Sequence, residues 1–324
     1  MSPTHRTSLR LATYNIRYDK SPDGITIPES ISALDNPLRE RGKFLKLSGE
    51  QPWSTRRLRV AESLSSENIT VAGFQEASER QMRDLDGLFR DDWGRVGVGS
   101  ADGKGGGEYC PLFYKKSVVR LLSSDTFWLS DTPFKPSKYP GADYSRLCTV
   151  ARFSAKTCAK TKFTVLNTHL DARSDKQRRL GASLILARAR YEAVKFRSAV
   201  FVMGDFNSTS TGKDSSAYKI ITGASAPVNI DARFAVTSDV GHQLPDFKML
   251  DLRGQAPRER VSNNFATYTG FDKPSDTTGW KRIDYIFGGS NLKWKSKGYK
   301  VRSSLSDDGI LASDHRPVFA DVTI

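Results

Sequence analysis

The chain has 324 residues, of which 38% are hydrophobic, enough to bury a sizeable core in one or two domains. It contains no apolar run near the roughly 20 residues that a membrane-spanning helix needs, so no stable membrane association is expected. The net charge of +14 would attract polyanions, although basic residues spread along a chain are equally typical of ordinary solvated surfaces.

The cysteines and the first residues bear on location. Cys110, Cys148 and Cys158 form no CxxC pair, so neither a disulfide framework nor a zinc site is expected. The N-terminal residues lack the apolar segment of a secretion signal, although a chain that had lost its signal would look the same. Both features favour an intracellular protein of the cytoplasm or nucleus. A monomer is the default oligomeric state.

The first part of the chain begins with a strand. Alternating apolar residues predict it at 8–16. Residues 17–52 are rich in Pro, Gly, Ser and charged residues and are predicted to form a long surface loop, a length that suggests a functional insertion. Three further elements are predicted next, a helix at 54–67, a buried strand at 69–77 and a helix at 78–89.

The middle of the chain is rich in short strands. A Gly-rich stretch at 101–107 is predicted to be a hairpin turn, because its glycines do not have the spacing of a phosphate-binding loop. The strands are predicted at 93–99, 108–115, 118–129, 146–154 and 161–169. They lead to the strongest helix, at 174–197, where apolar residues form one stripe and Arg and Lys occupy the other faces.

The last part starts with an apolar strand at 198–207 and a short helix near 214–222. Residues 223–265 have weak periodicity and many turn residues, so no element is predicted there. Three final strands are predicted at 280–288, 292–302 and 316–324. Because strands and helices interleave without repeats or a linker, a single α/β domain spanning residues 1–324 is the economical interpretation.

Polar residues recur where these apolar strands end. They are Asn15, Glu76, His169, Asp205 with Asn207, Asp284, and Asp314 with His315. Strands that end at one edge of a sheet can direct such side chains into one cleft. The set contains carboxylates, amides and two histidines, which metal-assisted phosphoryl hydrolysis requires. Each residue alone is better explained as part of a turn, a helix cap or a hydrogen bond, and only their joint occurrence favours chemistry.

Six segments in this order resemble the signature of the endonuclease/exonuclease/phosphatase superfamily, the DNase I-like proteins. They are TYN (13–15), QE (75–76), NTHL (167–170), GDFN (204–207), RIDYIF (282–287) and SDHRPV (313–318). The stretch GEYCPLFY…FWLS…RLCTVARF additionally resembles a less characterised microbial and fungal branch. The resemblance implies a four-layer α/β sandwich, in which two mixed β-sheets pack face to face with flanking helices.

The resemblance also implies a divalent metal ion. Glu76 would be the main carboxylate ligand, with Asn15 nearby and Asp314 assisting directly or through water. Mg²⁺ suits such a site because it prefers oxygen ligands and keeps several waters, so that few protein ligands are needed. Mn²⁺ would substitute for it.

The remaining residues of the signature would act on water and phosphate in a single step, with no covalent intermediate. By resemblance, Asp205 would orient or deprotonate the attacking water, and Asn207 would fix that water or a phosphate oxygen. His315 would contact the scissile phosphate, with its tautomer set by Asp284. His169 would donate a further hydrogen bond to the phosphate.

Three other residues are candidates for contact with the substrate phosphate. Arg146 stands at the start of a predicted strand, where DNase I-like members have an arginine near the phosphate, although a surface arginine would fit the pattern nearly as well. Glu108 and Tyr109 fall where relatives often have a polar or aromatic active-site residue. The local pattern differs from theirs at this point.

The leading hypothesis for the substrate is DNA or RNA, which makes the protein a phosphodiesterase of the nuclease type. Basic and aromatic residues interleave in KRIDY, LKWKSKGYK and RSDKQRR, a composition that suits a groove for a nucleic acid backbone. Trp294 and Tyr299 would be stacking platforms there, but inward packing on a strand is the favoured interpretation of both. The alternatives are a small-molecule, nucleotide or lipid phosphoesterase and a catalytically inactive nucleic-acid-binding protein.

Overall fold

The computed structural model describes residues 6–38, 47 and 49–324. Strands and helices alternate along most of this part of the chain. The strands are β1 (Ser8–Asn15), β2 (Val71–Gln75), β3 (Trp93–Val96), β4 (Leu112–Lys115), β5 (Val119–Trp128), β6 (Leu147–Ala155), β7 (Lys162–His169), β8 (Ala199–Asp205), β9 (Met249–Asp251), β10 (Asp284–Gly289), β11 (Lys295–Val301) and β12 (Val318–Thr323). The α-helices are α1 (Ile27–Ser32), α2 (Trp53–Ser65), α3 (Glu79–Phe89), α4 (Asp175–Lys195), α5 (Ser216–Ile221), α6 (Ala232–Thr237) and α7 (Leu252–Gln255), followed by a 3₁₀ turn at Arg258–Arg260.

The strands form two six-stranded sheets. The first has the order β11-β12-β1-β2-β4-β3 and the second the order β5-β6-β7-β8-β10-β9. Both sheets are mixed. In each, the two central strands are parallel, β1 with β2 and β7 with β8, and the other neighbours are antiparallel.

The two sheets face each other across one apolar core. Leu11 and Val71 of the first sheet share this core with Phe201 and Ile286 of the second. Successive residues of a strand point to opposite faces, so Tyr14 of β1 packs on the outer face instead, with α2 and α3. Burying each side chain of this size contributes about 1.5–3 kcal/mol of hydrophobic stabilisation.

Helices cover the outer faces of both sheets. Val60 of α2 and Leu85 of α3 pack on the first sheet, and Leu184 of α4 and Ile220 of α5 pack on the second. The layers are therefore helix, sheet, sheet and helix. The structure confirms the expected four-layer DNase I-like sandwich.

The predicted surface loop at 17–52 contains a short helix, α1, which the analysis of composition missed. Its start was readable, because Thr26 and Glu29 form a reciprocal capping box around Pro28. Residues 39–46 and 48 of the predicted loop lie outside the described residues. The prediction of no elements at 223–265 was also wrong, since α6, β9 and α7 form there. These elements have three to six residues, too few to show a period.

The structure also bears on the expectations for a membrane-spanning helix, for the cysteines and for the Gly-rich segment. Among the described residues, no helix is long and apolar enough to cross a membrane. Cys110, Cys148 and Cys158 are free thiols, and the first two are buried. The 101–107 segment is a turn closed by backbone hydrogen bonds, such as that from Ala101 to Gly106.

Candidate active site

The two central parallel strand pairs place their carboxyl ends at one place in the molecule. On β1 and β2, Asn15 pairs with Gln75, so that Glu76 follows directly. On β7 and β8, His169 pairs with Asp205. The Asn15 amide joins the two sheets, because its Nδ2 donates hydrogen bonds to Glu76 Oε1 at 2.9 Å and to Asp205 Oδ2 at 3.1 Å.

Carboxylates and one arginine surround the end of β1 and β2. The Arg17 guanidinium lies 3.9 Å from Glu76 Oε2 and 3.7 Å from Asp314 Oδ2. Burial opposes ionisation of Glu76, but the nearby His169 and His315 imidazoles and the hydrogen bonds from Asn15 and the Tyr18 backbone hold its pKa at about 2. Burial raises the pKa of Asp314. Glu76 thus stays ionised at neutral pH.

A second group of charges lies at the end of β8 and β10. His315 Nδ1 is 2.9 Å from Asp284 Oδ2, and its Nε2 is 3.6 Å from Asp205 Oδ2. Burial opposes protonation of His315, but the Asp284 and Asp205 carboxylates raise its pKa to about 10. Burial and the nearby Asp284 raise the pKa of Asp205 to about 7. His315 is therefore charged at neutral pH, and Asp205 can both lose and accept a proton there.

His169 has a different state from His315. Its Nδ1 lies 2.9 Å from Arg146 Nη1, and its Nε2 lies 3.5 Å from Asp205 Oδ2 and 3.0 Å from Asn207 Nδ2. Burial and the Arg146 guanidinium hold the pKa of His169 well below its ordinary value, so the ring is neutral. Because a guanidinium can only donate, the Nδ1 atom accepts and the proton resides on Nε2. The Asn207 amide nitrogen beside Nε2 therefore donates to the Leu170 carbonyl at 3.0 Å and not to the ring.

The three candidates for phosphate contact have different positions. Arg146 Nη1 donates to Glu108 Oε2 at 2.9 Å as well as to His169, and burial raises the pKa of Glu108. Both side chains line the same cavity as the residues above. Tyr109 is buried beside them, but its hydroxyl donates to Glu79 and to the Lys104 carbonyl, and it does not line the cavity.

Backbone conformation at the site is unusual. Glu76, Arg17 and Asn207 have φ angles of +58°, +60° and +44°, in the left-handed region that residues other than glycine rarely adopt. Such conformations persist only where the surroundings fix them, and they concentrate at functional sites. Asn207 tolerates this region well, whereas Glu and Arg do not.

Buried hydrogen bonds join the two sheets just below the site. Gln75 Nε2 donates to Asn167 Oδ1 at 2.7 Å, and Asn167 Nδ2 donates to the Phe74 carbonyl at 2.8 Å. Ser313 Oγ donates to the Asn15 carbonyl at 2.7 Å. These residues of the QE, NTHL and SDHRPV segments hold the strand ends together.

The site opens into a cavity of about 1020 Å³. Its walls hold most of the predicted residues, and also Arg178 and Lys281 of the basic segments RSDKQRR and KRIDY. They further include residues that were not predicted from the sequence, namely Arg17, Lys20, Lys138, Tyr144 and Tyr268. Arg17 could have been found, since it follows the TYN segment by two residues. Tyr268, whose ring lies 5.1 Å from the His315 ring, belongs to an irregular segment without a sequence signal.

Two groups of side chains could hold a metal ion. Asp205, Asp284 and His315 offer ligand atoms within 4.8 Å of one another, and Asp284 Oδ1 has no hydrogen-bond partner among the described residues. A protonated His315, however, has no lone pair for a cation. Glu76 and Asp314 supply the oxygen ligands that Mg²⁺ prefers, and the Asn15 amide holds Glu76 in place, so these residues fit a magnesium ion better.

Trp294 and Tyr299 are not stacking platforms. Their exposed fractions are 7% and 1%, and both pack in the core between the sheets. The inward packing favoured by the sequence is confirmed. Arg282 of the KRIDY segment is also buried and forms a two-fold ion pair with Asp251, whereas Lys281 lines the cavity.

Comparisons with known proteins agree with this geometry. Among solved structures, an endonuclease/exonuclease/phosphatase from Bacteroides vulgatus is 28% identical, with a TM-score of 0.72 and 98% of each chain covered. The Bacteroides thetaiotaomicron mannosyl-6-phosphatase Bt3783 is 22% identical, with a TM-score of 0.71, 98% of this chain and 100% of that chain covered. D. rerio TDP2 complexed with a single-strand DNA product is 13% identical, with a TM-score of 0.61, 98% of this chain and 99% of that chain covered.

No curated protein matches the chain. The family model described as the Endonuclease/Exonuclease/phosphatase family matches residues 12–315, which include five segments of the signature in full and the first three residues of SDHRPV. The two structures below 25% identity show the shared fold alone. The chain therefore belongs to the endonuclease/exonuclease/phosphatase family, whose members are phosphoesterase hydrolases.

Proposed function

We propose that the protein is a divalent-cation-dependent phosphoesterase that hydrolyses its substrate by in-line attack of water. The observation that carries this proposal is the meeting of two strand pairs at one cavity. An ionised Glu76 lies there beside Asn15, and Asn15 contacts an Asp205 whose pKa is about 7. The Glu76 carboxylate is thus suited to binding a cation, and the Asp205 carboxylate is suited to accepting a proton.

Glu76 would hold the cation, with Asn15 and Asp314 assisting. Mg²⁺ is the proposed ion, and Mn²⁺ is expected to replace it. When bound, such an ion offsets negative charge on the phosphate and orients it. The Arg17 guanidinium would lie on the side of these carboxylates that faces the substrate phosphate.

Asp205 would take a proton from the attacking water, and Asn207 would position that water. As the new P–O bond forms, the P–O bond to the leaving group breaks, and the leaving oxygen takes up a proton from solvent. The charged His315, held by Asp284 at 2.9 Å, would stabilise the charge that develops on the phosphate oxygens. The reaction needs no covalent intermediate.

His169 would donate its Nε2 proton to a phosphate oxygen. The Arg146 contact at its Nδ1 keeps that donor in place. Arg146, supported by Glu108, would add positive charge on the same side of the cavity. Fixed donors of this kind act without reorganisation during the reaction.

The burial of Trp294 and Tyr299 removes the strongest sequence argument for a nucleic acid groove. A cavity of about 1020 Å³ is at the upper end of the range for small-molecule sites, and one similar structure is a mannosyl-6-phosphatase. We therefore favour a small phosphate ester as substrate. Nucleic acid is the second candidate, supported by the net charge of +14 and by the TDP2 structure with its DNA product. The free cysteines support an intracellular location.

Hydrolysis of small esters, DNA and RNA would test the function, with Mg²⁺, Mn²⁺ or EDTA present. Release of phosphate or of the alcohol would be followed for the small esters, and strand cleavage for the nucleic acids. We expect metal-dependent turnover that Glu76→Gln and His315→Ala abolish. Glu259→Gln and His242→Ala are matched controls, since both side chains are exposed and outside the cavity. Turnover that persists in EDTA would contradict the cation's role. Absence of turnover for every ester would support the inactive binding protein.

A further inference from the structure

Arg17 places a guanidinium among the cation-binding carboxylates. Its Nε donates to Glu50 at 3.0 Å, and its Nη1 faces Glu76 and Asp314. Burial opposes its charge, but these carboxylates raise the pKa of Arg17 above its ordinary value. The side chain is 20% exposed and lines the cavity. The site therefore has a permanent cation that its catalytic chemistry does not yet explain.

The backbone of Arg17 is held in a conformation that suits glycine better than arginine. Its φ is +60°. Three hydrogen bonds fix it: the Arg17 amide donates to Asn15 Oδ1 at 3.0 Å, and its carbonyl accepts from Gln81 at 2.8 Å and from Arg56 at 3.1 Å. A strained residue held so firmly points to a role for its side chain.

Two other arginines with positive φ have ordinary explanations. Arg90, at +61°, and Arg197, at +48°, follow the ends of α3 and α4, where the chain leaves a helix. Both side chains are exposed, and neither lines the cavity. Arg17 differs from both because it lies in a turn directly after a strand and directs its charge into the site.

The fixed cations of the cavity come from both sheets. Arg17 lies beside the ends of β1 and β2, and Arg146 lies beside His169, the last residue of β7. A phosphate diester carries one negative charge and two non-bridging oxygens, whereas a monoester carries up to two charges and three such oxygens. Positive groups around the centre thus favour the monoester, which has the additional charge and oxygen for Arg17 to bind.

The rest of the cavity wall suits a leaving group rich in hydroxyls. Asp143 and Asp214 line it, each paired with an arginine, and would accept hydrogen bonds from hydroxyls. Ser145 and Thr209 add uncharged donors and acceptors. The Tyr144 ring, 57% exposed, offers an apolar face near Arg146. Such a wall provides hydrogen-bonding partners for a single sugar or polyol.

We propose that Arg17 contacts a non-bridging oxygen of the substrate and selects a terminal phosphate monoester on a small, hydroxyl-rich molecule. This inference rests on the function proposed above. Hydrolysis would convert the monoester and one water into an alcohol and inorganic phosphate, with cleavage of the bond between phosphorus and the leaving oxygen.

The test compares 4-nitrophenyl phosphate with bis(4-nitrophenyl) phosphate, which share a leaving group and differ in charge, and adds a hexose 6-phosphate. The Mg²⁺-loaded wild type should prefer the monoester by about 100-fold or more in kcat/KM. Arg17→Gly should lower monoester turnover by roughly 10- to 100-fold, as expected for one charge-assisted donor, and change diester turnover less than about three-fold. Arg17→Lys should restore part of the loss.

Thermal unfolding separates a binding role from a structural one. Glycine removes the strain at φ +60°, so Arg17→Gly should keep or raise the midpoint of unfolding, as should the surface control Arg197→Gly. Arg197→Gly should leave both ester rates unchanged. Equal loss on both esters, or a lower midpoint in Arg17→Gly alone, would show that Arg17 only holds the carboxylates.

The panel also distinguishes the inference from the proposed function. Wild-type turnover of the diester or of DNA at rates equal to or above the monoester would overturn the inference and leave the phosphoesterase function intact. Turnover of the aryl monoester without the hexose 6-phosphate would overturn the assignment of the leaving group. No metal-dependent turnover of any ester would instead refute the proposed function itself.

Discussion

Each of the two sheets contributes one half of the candidate active site. The two halves have the same strand geometry and different chemistry. In each sheet the central pair of strands is parallel and delivers two polar residues to the cavity. The β1–β2 half brings the Glu76 carboxylate, which supplies oxygen atoms, and Asn15, whose amide donates a hydrogen bond to it. The β7–β8 half brings His169 and Asp205, a neutral imidazole and a carboxylate that can take up a proton.

Glu76 and Asp205 show how strongly the surroundings of a buried carboxylate change its pKa. Both are buried carboxylates and both accept a hydrogen bond from Asn15, yet their pKa values are about 2 and about 7. The Tyr18 backbone also donates to Glu76, whereas Asp205 is buried facing the Asp284 carboxylate. The surroundings, and not the type of residue, assign one group to a cation and the other to proton transfer.

The largest expected effect comes from removing the proton acceptor of the β7–β8 half. Asp205→Asn keeps the shape of the side chain but cannot accept the proton, so kcat should fall by roughly 10²- to 10⁴-fold. Affinity for the cation should change far less, which calorimetric titration with Mn²⁺ would check. Asp246→Asn, exposed and outside the cavity, is the matched control. Equal loss of cation binding in Asp205→Asn would remove the distinction between the halves.

The pH dependence of kcat/KM tests the protonation states of Asp205 and His315. Asp205 must be deprotonated and His315 charged, so kcat/KM should rise through about pH 7 and fall above about pH 10. Asp284 raises the pKa of His315 against the effect of burial, so Asp284→Asn should move the alkaline fall to lower pH. Activity should then drop at neutral pH and recover partly on acidification. An unchanged alkaline limb would show that His315 does not act as a charged group.

A smaller effect is expected at Arg146. Arg146→Met removes the donor at His169 Nδ1 and one positive charge beside the phosphate, so kcat/KM should fall about 10- to 100-fold. ¹⁵N chemical shifts of the His169 ring would report its tautomer. We expect a proton on Nε2 in the wild type and a mixture in the variant. A wild-type ring protonated at Nδ1 would contradict the assigned role of Arg146.

The smallest effect on turnover should come from the bridge between the sheets. Asn167→Ala removes one acceptor of the buried Gln75 amide, which keeps Thr13, and the donor to the Phe74 carbonyl, and we expect a loss of about 1–3 kcal/mol in the free energy of unfolding. Turnover should fall only a few-fold, because the strand ends shift slightly. Chemical denaturation of Gln75→Ala, Asn167→Ala and the double variant would test this. Additive losses would mean that the two amides do not stabilise the sheets together.

The order of strands and helices was accessible from sequence because most elements are long enough to show a period. The predicted strand at 8–16 and the helix at 174–197 appear as β1 and α4 within one or two residues. The elements that were missed, α1, α6, β9 and α7, have no more than six residues each. Their stability depends on packing against the sheets, which a local pattern does not contain.

The residues of the candidate site also differ in whether the sequence could predict them. Polar residues at strand ends were readable, and the structure brings Asn15, Glu76, His169 and Asp205 together. Tyr268 was not readable, because it comes to His315 only through the folding of an irregular segment. Protonation states were not readable either, since the pKa of Asp205 depends on an Asp284 that is 79 residues away along the chain. The roles of these residues in catalysis stay proposals.

The central claim is that the β1–β2 half binds the cation and the β7–β8 half carries out proton transfer. Calorimetric measurement of Mn²⁺ binding in one series of variants tests this claim most directly. Glu76→Gln should abolish binding, whereas His169→Gln and Asp284→Asn should retain it within about ten-fold, although all three lose turnover. This result would locate the cation in the β1–β2 half. Binding that survives Glu76→Gln and disappears in Asp284→Asn would instead place the cation among Asp205, Asp284 and His315, and would contradict the account.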